Sequence, residues 1–311
     1  MTLQRAIILG GAQLGLRYGI TSGKFLRQAA LYELLDKARY LGFHTIDLAA
    51  AYGCAHERVA LWRRSRNDRC LCFGSKWGSK WSNQQGGPTN EYQRHLRLGR
   101  CWGTWSYLLS HSADLSQFED LCALWPPAGS EQAYKESPKL GLSLYHPEEL
   151  EALLARPELR FQALQIPYSL ADRRFEAYLP RLAANSIELQ LRSLYLQGLL
   201  LADNIRPYAE RNPKLWALQP LLDGLIALSR RHALERQDIL LYAGLRHREK
   251  WASLRLVVGV SCAAELLSLH YSLQRIASWP QEMRHEVEKG IDTLAPLAPL
   301  EPKVIVPSQW N

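Results

Sequence analysis

The sequence predicts an α/β protein folded as a (β/α)8 TIM barrel, a single domain over residues 1–311. Three observations carry that expectation: short apolar runs alternate with amphipathic stretches, eight such runs are present, and no Pro-, Gly- or Ser-rich linker divides them. The runs lie at 6–9, 45–47, 70–75, 105–110, 140–144, 163–166, 188–191 and 256–260, and each reads as a buried strand. Helical periodicity is clearest at 29–41, where Leu31, Leu34, Leu35, Ala38 and Leu41 share a face that Gly42 terminates. It recurs at 216–232 through Leu218, Leu221, Leu222, Leu225 and Leu228. A doubly wound sheet would need GxGxxG between a strand and a helix, and LGGAQLGLRYG lacks that spacing.

Composition narrows the functional classes. At 47% hydrophobic and 22% charged residues the chain is an ordinary globular protein, which excludes disorder. The net charge of +8 raises a nucleic-acid reading. Its arginines, however, sit in short runs (Arg63, Arg64 and Arg66; Arg94, Arg97 and Arg100; Arg230 and Arg231) assigned mostly to outer helices, so no nucleic-acid partner is expected. Six cysteines without a CxxC pair or zinc-type histidine spacing fit free thiols, a reducing cytoplasmic setting and no metal. Gln13 and the repeated glycines interrupt the N-terminal apolar stretch, which reads as a strand rather than a leader. No run approaches the about 20 apolar residues of a membrane span.

Polar residues at strand ends stand out: Asp47 and Tyr52 in TIDLAAAYG, Lys76 in CFGSKW and His111 in YLLSHSAD. In a parallel barrel the C-terminal strand ends open on one face, so these four are expected to converge there. Singly, each has a plain structural explanation, as an ion pair, a core tyrosine or a strand-end histidine. The segments 78–90 and 125–138 read as loops that frame the pocket.

With these residues in order, the chain resembles the aldo-keto reductase superfamily along nearly its whole length. The resemblance runs through LGGAQLGLRYGI, GFHTIDLAAAYG, GSKW, YLLSH, LGLSLY, LQIPYSLADRR, LRSLYLQGLLL and VVGVSCAAEL to the closing VPSQWN. It implies hydride transfer between a nicotinamide cofactor and the carbonyl of a small aldehyde, ketone or sugar-like molecule, without a metal. Free tyrosine, with a pKa near 10, is a poor acid at neutral pH, and lowering that value by about three units takes roughly 4 kcal/mol. The resemblance therefore implies Tyr52 as proton donor, Lys76 and Asp47 as the pair that lowers its pKa, and His111 as the residue that orients the carbonyl.

Cofactor positions follow from the same resemblance. Ser143 and Gln165 match residues that bond the nicotinamide carboxamide, while Leu144 stands where many members have Asn. Arg192 and Ser193 stand where the resemblance implies a ring-stacking residue, more commonly an aromatic, and a pyrophosphate contact, and Gln197 and Gly198 match a loop over the pyrophosphate. Gly259, Ser261 and Glu265 fall at the adenosine end, with no cation until Arg275. A carboxylate repels a 2′-phosphate and accepts a hydrogen bond from a free ribose 2′-OH. NADP(H) is the expected cofactor and NAD(H) the alternative. Trp77, Trp81, Trp102 and Trp105 are candidate pocket aromatics. A cofactor-binding sensor or regulatory subunit on the same fold is the alternative function. A hydrolase or lyase with paired carboxylates lacks a second strand-end acid near Asp47. A monomer or small homo-oligomer is expected.

Overall fold

Eight parallel strands close into one barrel in sequence order, β1-β2-β3-β4-β5-β6-β7-β8, with β8 returning to pair with β1. They are β1 (Ile7–Gly10), β2 (Thr45–Asp47), β3 (Cys72–Trp77), β4 (Trp105–Ser110), β5 (Lys139–Ser143), β6 (Ala163–Pro167), β7 (Glu188–Arg192) and β8 (Arg255–Gly259). The structure is a computed structural model and describes residues 2–20, 25–78, 105–124, 138–184, 187–294, 300–307 and 310. The expected loops at 78–90 and 125–138 lie outside these residues except for Gly78 and Pro138, as do Trp81 and Trp102.

All eight expected strands are present, and β2 and β4 have the expected bounds. The largest displacement is in β3, expected at 70–75 and found at Cys72–Trp77. Hydropathy marks the apolar run, but pairing decides the end: Lys76 and Trp77 stay in register with Leu109 and Ser110 of β4. Lys76 thus sits inside a strand, with its backbone immobilised on both sides. The periodic segment expected at 216–232 divides into a 3₁₀ turn, Pro213–Leu218, and an α-helix, Gln219–His232. Pro220 explains the break, since a residue without an N–H fits the first turn of a helix and not its interior.

The helix Gln28–Tyr40 buries Leu31, Leu34, Leu35 and Ala38, the face expected from the sequence, against the barrel wall. Gly42 adopts φ +80° just beyond it, a conformation that costs a side chain and that glycine takes freely. The helices and the outward strand faces make one large apolar core. Inside the barrel the apolar filling is small: Ile8, Tyr107, Leu109 and Ala163, with Val257 against them. Polar side chains occupy much of the remaining interior, including Asp47, Lys76, Gln165 and Gln190, each at most 1% exposed. No helix among the described residues is long and apolar enough to cross a membrane.

Between Phe73 and Gly74 the β3–β4 register slips, so Phe73 faces Trp105 while Gly74 faces Tyr107. A Cβ on Gly74 would lie 1.8 Å from the Tyr107 ring, which is buried and closed in on all sides. Gly74→Ala is expected to destabilise the fold by about 1–3 kcal/mol through overpacking, read as a lower urea midpoint with an unchanged denaturant slope.

Candidate active site

Asp47 ends β2, and Lys76 is the penultimate residue of β3. Both point into the barrel mouth, where Lys76 Nζ donates to Asp47 Oδ2 with both side chains almost wholly out of water. Such a pair is tolerable only when its remaining hydrogen-bonding groups are met as well. They are: Tyr107 OH donates to Asp47 Oδ1 at 2.9 Å, Gln165 Nε2 approaches the same oxygen at 3.3 Å, and Lys76 also donates to Gln165 Oε1 at 3.1 Å.

The network continues down the barrel. Gln165 Nε2 donates to Gln190 Oε1 at 2.9 Å, and Gln190 Nε2 donates to Glu188 Oε1 at 2.8 Å. Glu188 in turn accepts from Lys139 Nζ at 2.7 Å and lies 3.7 Å from Arg255 Nη1. An ionised carboxylate only accepts, so Glu188 fixes which end of the Gln190 amide faces up and thereby which end of Gln165 faces Lys76.

Tyr52 arrives from the β2 connection. After Asp47 the backbone keeps pairing with β3, Leu48 N–H to Gly74 O at 2.8 Å and Ala50 N–H to Lys76 O at 2.9 Å. Two glycines allow the turn that follows: a Cβ on Gly15 would sit 2.0 Å from Tyr52 O, and Gly53 takes φ +55° against Gly15. The Tyr52 ring then lies with Lys76 Nζ 5.2 Å from its centroid, and edge-to-face with the His111 ring at 6.1 Å. His111 is held just beyond β4 by its N–H, which donates to Trp77 O at 2.6 Å.

The electrostatics differ from the expectation. Burial first, and the Asp47 charge second, push the Tyr52 phenol well above its ordinary range, with Arg192 acting in the opposite direction. The expected lowering by Lys76 does not prevail, because burial penalises a phenolate and Asp47 offsets much of the ammonium's charge. Tyr52 is thus a neutral phenol. Burial, Lys76 and Arg192 hold His111 down at about 3, so its imidazole is neutral too.

These four residues line one cavity of about 800 Å³ at the C-terminal face, and it extends to the other end of the barrel mouth. Gln165, Arg192, Ser193, Gln197 and Gly198 line it, as do Gly259, Ser261 and Glu265. Ser143 does not: it is 1% exposed and lies against Gln165 Oε1 at 3.5 Å. Gln165 itself differs from the expected carboxamide contact, because both ends of its amide are engaged within the protein. Trp77 is buried in the outer core and Trp105 packs against that core, so neither lines the cavity.

The loop after β7 holds Ser193 (φ 68°), Leu196 (φ 47°), Gln197 (φ 54°) and Gly198 (φ 96°) in the left-handed region. Three of these carry side chains, and strain of that kind persists where a surrounding site over-determines the backbone. Arg192 stacks on Tyr145, with Cζ 4.3 Å from the ring centroid. Glu265 accepts from the Ser261 N–H at 2.6 Å, at the start of the helix Ala263–Ser278. Arg275 is tied to Asp238 at 2.7 and 2.8 Å and offers no free charge there. Among the described residues no group of His, Cys, Asp and Glu is placed to hold a metal ion.

The sequence reading missed Tyr18 and Tyr145, which join the cavity from connections, and Tyr107 and Gln190, which support the charged pair. Tyr107 had a signal in the alternation of WSYLLS, which puts Tyr107 and Leu109 on the same inward face.

No protein-family model matches the chain, and no curated protein sequence matches it. Solved structures do. The aldo-keto reductase AKR11C1 from Bacillus halodurans, in its holo form, superposes with a TM-score of 0.67 at 15% identity, covering 98% of this chain and 95% of that one. The aldo-keto reductase Tm1743, solved with the inhibitor epalrestat, gives 0.62 at 17%, covering 94% and 95%. A variant of Gox0644 in complex with NADPH gives 0.61 at 13%, covering 93% and 89%. The chain thus has the (β/α)8 fold of the aldo-keto reductases.

His247, half-buried beside Tyr168, is held at about 4, chiefly by desolvation and the Arg246 charge. An unfolded chain protonates histidine at about 6.5, whereas the folded protein leaves His111 and His247 neutral until far lower pH. The unfolded state therefore binds more protons in that window, and stability falls as pH drops from about 6.5 toward 4. The thermal midpoint is expected to fall between about pH 7 and pH 5, with His247→Gln, which keeps a hydrogen-bonding side chain, removing of order 1 kcal/mol of that loss.

Proposed function

We propose that this chain is a nicotinamide-dependent oxidoreductase of the aldo-keto reductase type, acting on the carbonyl or alcohol of a small molecule. The observation that carries this reading is the convergence of Asp47, Tyr52, Lys76 and His111 on one cavity with two neutral proton donors facing it. The cavity fits a dinucleotide: it runs from Tyr52 and His111 to Glu265 and Ser268, past a strained backbone loop and the start of a 16-residue helix. Helix starts and strained loops of this kind present N–H groups to phosphate.

When bound, the nicotinamide supplies or accepts the hydride. A carbonyl that gains a hydride develops negative charge on its oxygen and needs one proton. Tyr52, a neutral phenol, donates that proton to the oxygen. His111, a neutral imidazole, donates a hydrogen bond to the same oxygen and sets the orientation of the carbonyl. The Lys76 ammonium, 5.2 Å from the ring, stabilises the phenolate as it forms, and Asp47 keeps the ammonium in place. Gln165 acts from below through Lys76 and Asp47, and Ser143 through Gln165.

Arg192 would flank the nicotinamide ring, Ser193, Gln197 and Gly198 would hold the pyrophosphate, and Gly259, Ser261 and Glu265 the adenosine end. NADP(H) is the cofactor we assign, in line with the NADPH complex of Gox0644. NAD(H) is the second reading, favoured by the Glu265 carboxylate at that end of the cavity.

Fluorescence titration with NADPH and NADH, followed by a carbonyl panel assayed at the nicotinamide absorbance, tests both parts. Tyr52→Phe is expected to bind cofactor as the wild type does and to lose about 10²- to 10⁴-fold in turnover. Full activity in Tyr52→Phe would remove the acid assignment. Binding without turnover by the wild type would favour a cofactor-binding sensor, and binding of neither nucleotide would refute both readings.

A further inference from the structure

We propose that the carbonyl substrate is itself an anion, a carboxylate- or phosphate-bearing aldehyde or ketone, whose charged group Arg192 holds beside Tyr52 and His111. This rests on the reductase reading and adds the substrate class to it.

Of the cations that line the cavity, two are paired with carboxylates. Lys76 is paired with Asp47. Arg174 is paired with Asp172 through two contacts, Nε to Oδ1 at 2.8 Å and Nη2 to Oδ2 at 2.9 Å. Arg192 has no such partner among the described residues. Its Nη2 donates to the Leu144 carbonyl at 2.9 Å, its Nη1 donates to Ser193 Oγ at 3.3 Å, and its plane lies on the Tyr145 ring. All three contacts fix the guanidinium in position, and none neutralises it. Its Nε–H is buried with no acceptor.

The surroundings do not supply the missing charge. Tyr52 and His111 are neutral, and the Tyr18 phenol, although 38% exposed, is shifted up as well, chiefly by desolvation. The Arg192 charge is felt at all three of these groups, which puts it at the reacting end of the cavity. Glu265 is occupied with the Ser261 N–H. A cation held rigid in a partly desolvated wall, with the second N–H of each terminal nitrogen still open, costs the protein its hydration and recovers that cost when an anion binds. A planar, preset guanidinium matches the paired oxygens of a carboxylate or a phosphate.

The test uses matched carbonyl pairs that differ mainly in charge: butanal against succinic semialdehyde, and glycolaldehyde against its phosphate. Wild type, Arg192→Gln and Arg192→Lys are compared by kcat/KM. The wild type is expected to favour the anionic member of at least one pair by about tenfold or more, the scale of a hydrogen bond to a charged group. Arg192→Gln is expected to abolish that ratio chiefly through KM, and Arg192→Lys to restore part of it. The ratio is internal to each variant, so a general loss of folded protein does not move it. The two pairs separate carboxylate from phosphate recognition. Calorimetric titration of the cofactor-free protein with succinate and with inorganic phosphate adds a readout independent of turnover, expected to show binding that Arg192→Gln loses. Reduction of neutral carbonyls with no preference for the anions overturns the inference and leaves the reductase reading intact. An unchanged ratio in Arg192→Gln, with weakened NADPH binding, assigns the charge to the cofactor's pyrophosphate and also overturns it. If the wild type reduces no carbonyl of either kind, the reductase reading fails and the inference falls with it.

Discussion

A lysine and an aspartate buried side by side at the mouth of the barrel constrain most of what surrounds them. Moving an ammonium and a carboxylate out of water costs several kcal/mol per ion, and direct contact alone does not return it. Every further donor and acceptor on the pair must also be met. Tyr107 and Gln165 bond to the free Asp47 oxygen and Gln165 accepts a second Lys76 N–H, which requires that Gln165 be aligned in turn by Gln190, and Gln190 by Glu188. A barrel interior is ordinarily filled by layers of branched apolar side chains. Here a polar column replaces part of those layers and ends at Lys139, whose side chain is 44% exposed and hydrated. Even the bare Gly74 belongs to this arrangement, since its missing Cβ is the space through which the Tyr107 ring reaches Asp47.

The same pair sets the charge state of the chemistry. Because Asp47 compensates Lys76 at close range, the ammonium does not draw the neighbouring phenol into ionisation, and burial keeps Tyr52 protonated. His111, under the influence of burial and two cations, stays deprotonated. The cavity wall therefore carries a neutral phenol and a neutral imidazole side by side, with Arg192 its one cation unpaired among the described residues. A neutral phenol backed by an ammonium strengthens its interaction only as the oxygen gains charge, and such differential stabilisation is what speeds a reaction.

How much of this was legible in the sequence depends on the physical origin of each feature. The eight strands were legible because each is a short apolar run between helical periodicities. Their ends were not, because backbone pairing sets them, as Lys76 and Trp77 show by continuing β3 past the apolar run. Asp47, Tyr52, Lys76 and His111 could be picked out because a polar residue at the end of an apolar strand needs a reason. Tyr107 is not at a strand end, and the alternation that turns it inward with Leu109 reads as core packing rather than as a partner for a carboxylate. Glu188 and Gln190 alternate with Leu189 and Leu191, a pattern that reads as a half-exposed strand until closure of the barrel turns the polar face inward. The direction of the Tyr52 shift was out of reach, since it depends on burial and on the Asp47 charge beside it.

Likeness of fold leaves the activity to be argued from the site, because one barrel serves many chemistries. The departures from the pattern this chain resembles are therefore informative. Two of them, Leu144 and Arg192, are structurally one. The Leu144 side chain, with no exposed surface, faces the core and gives the cavity nothing but its backbone carbonyl. That carbonyl is taken by Arg192 Nη2, and the next residue, Tyr145, supplies the ring on which the guanidinium lies. A side-chain amide at position 144 is thus replaced by an arginine reaching across from β7, anchored at both its edge and its face. The exchange removes a neutral hydrogen-bonding group from the β5 side of the site and places a fixed positive charge there, one that acts on both Tyr52 and His111.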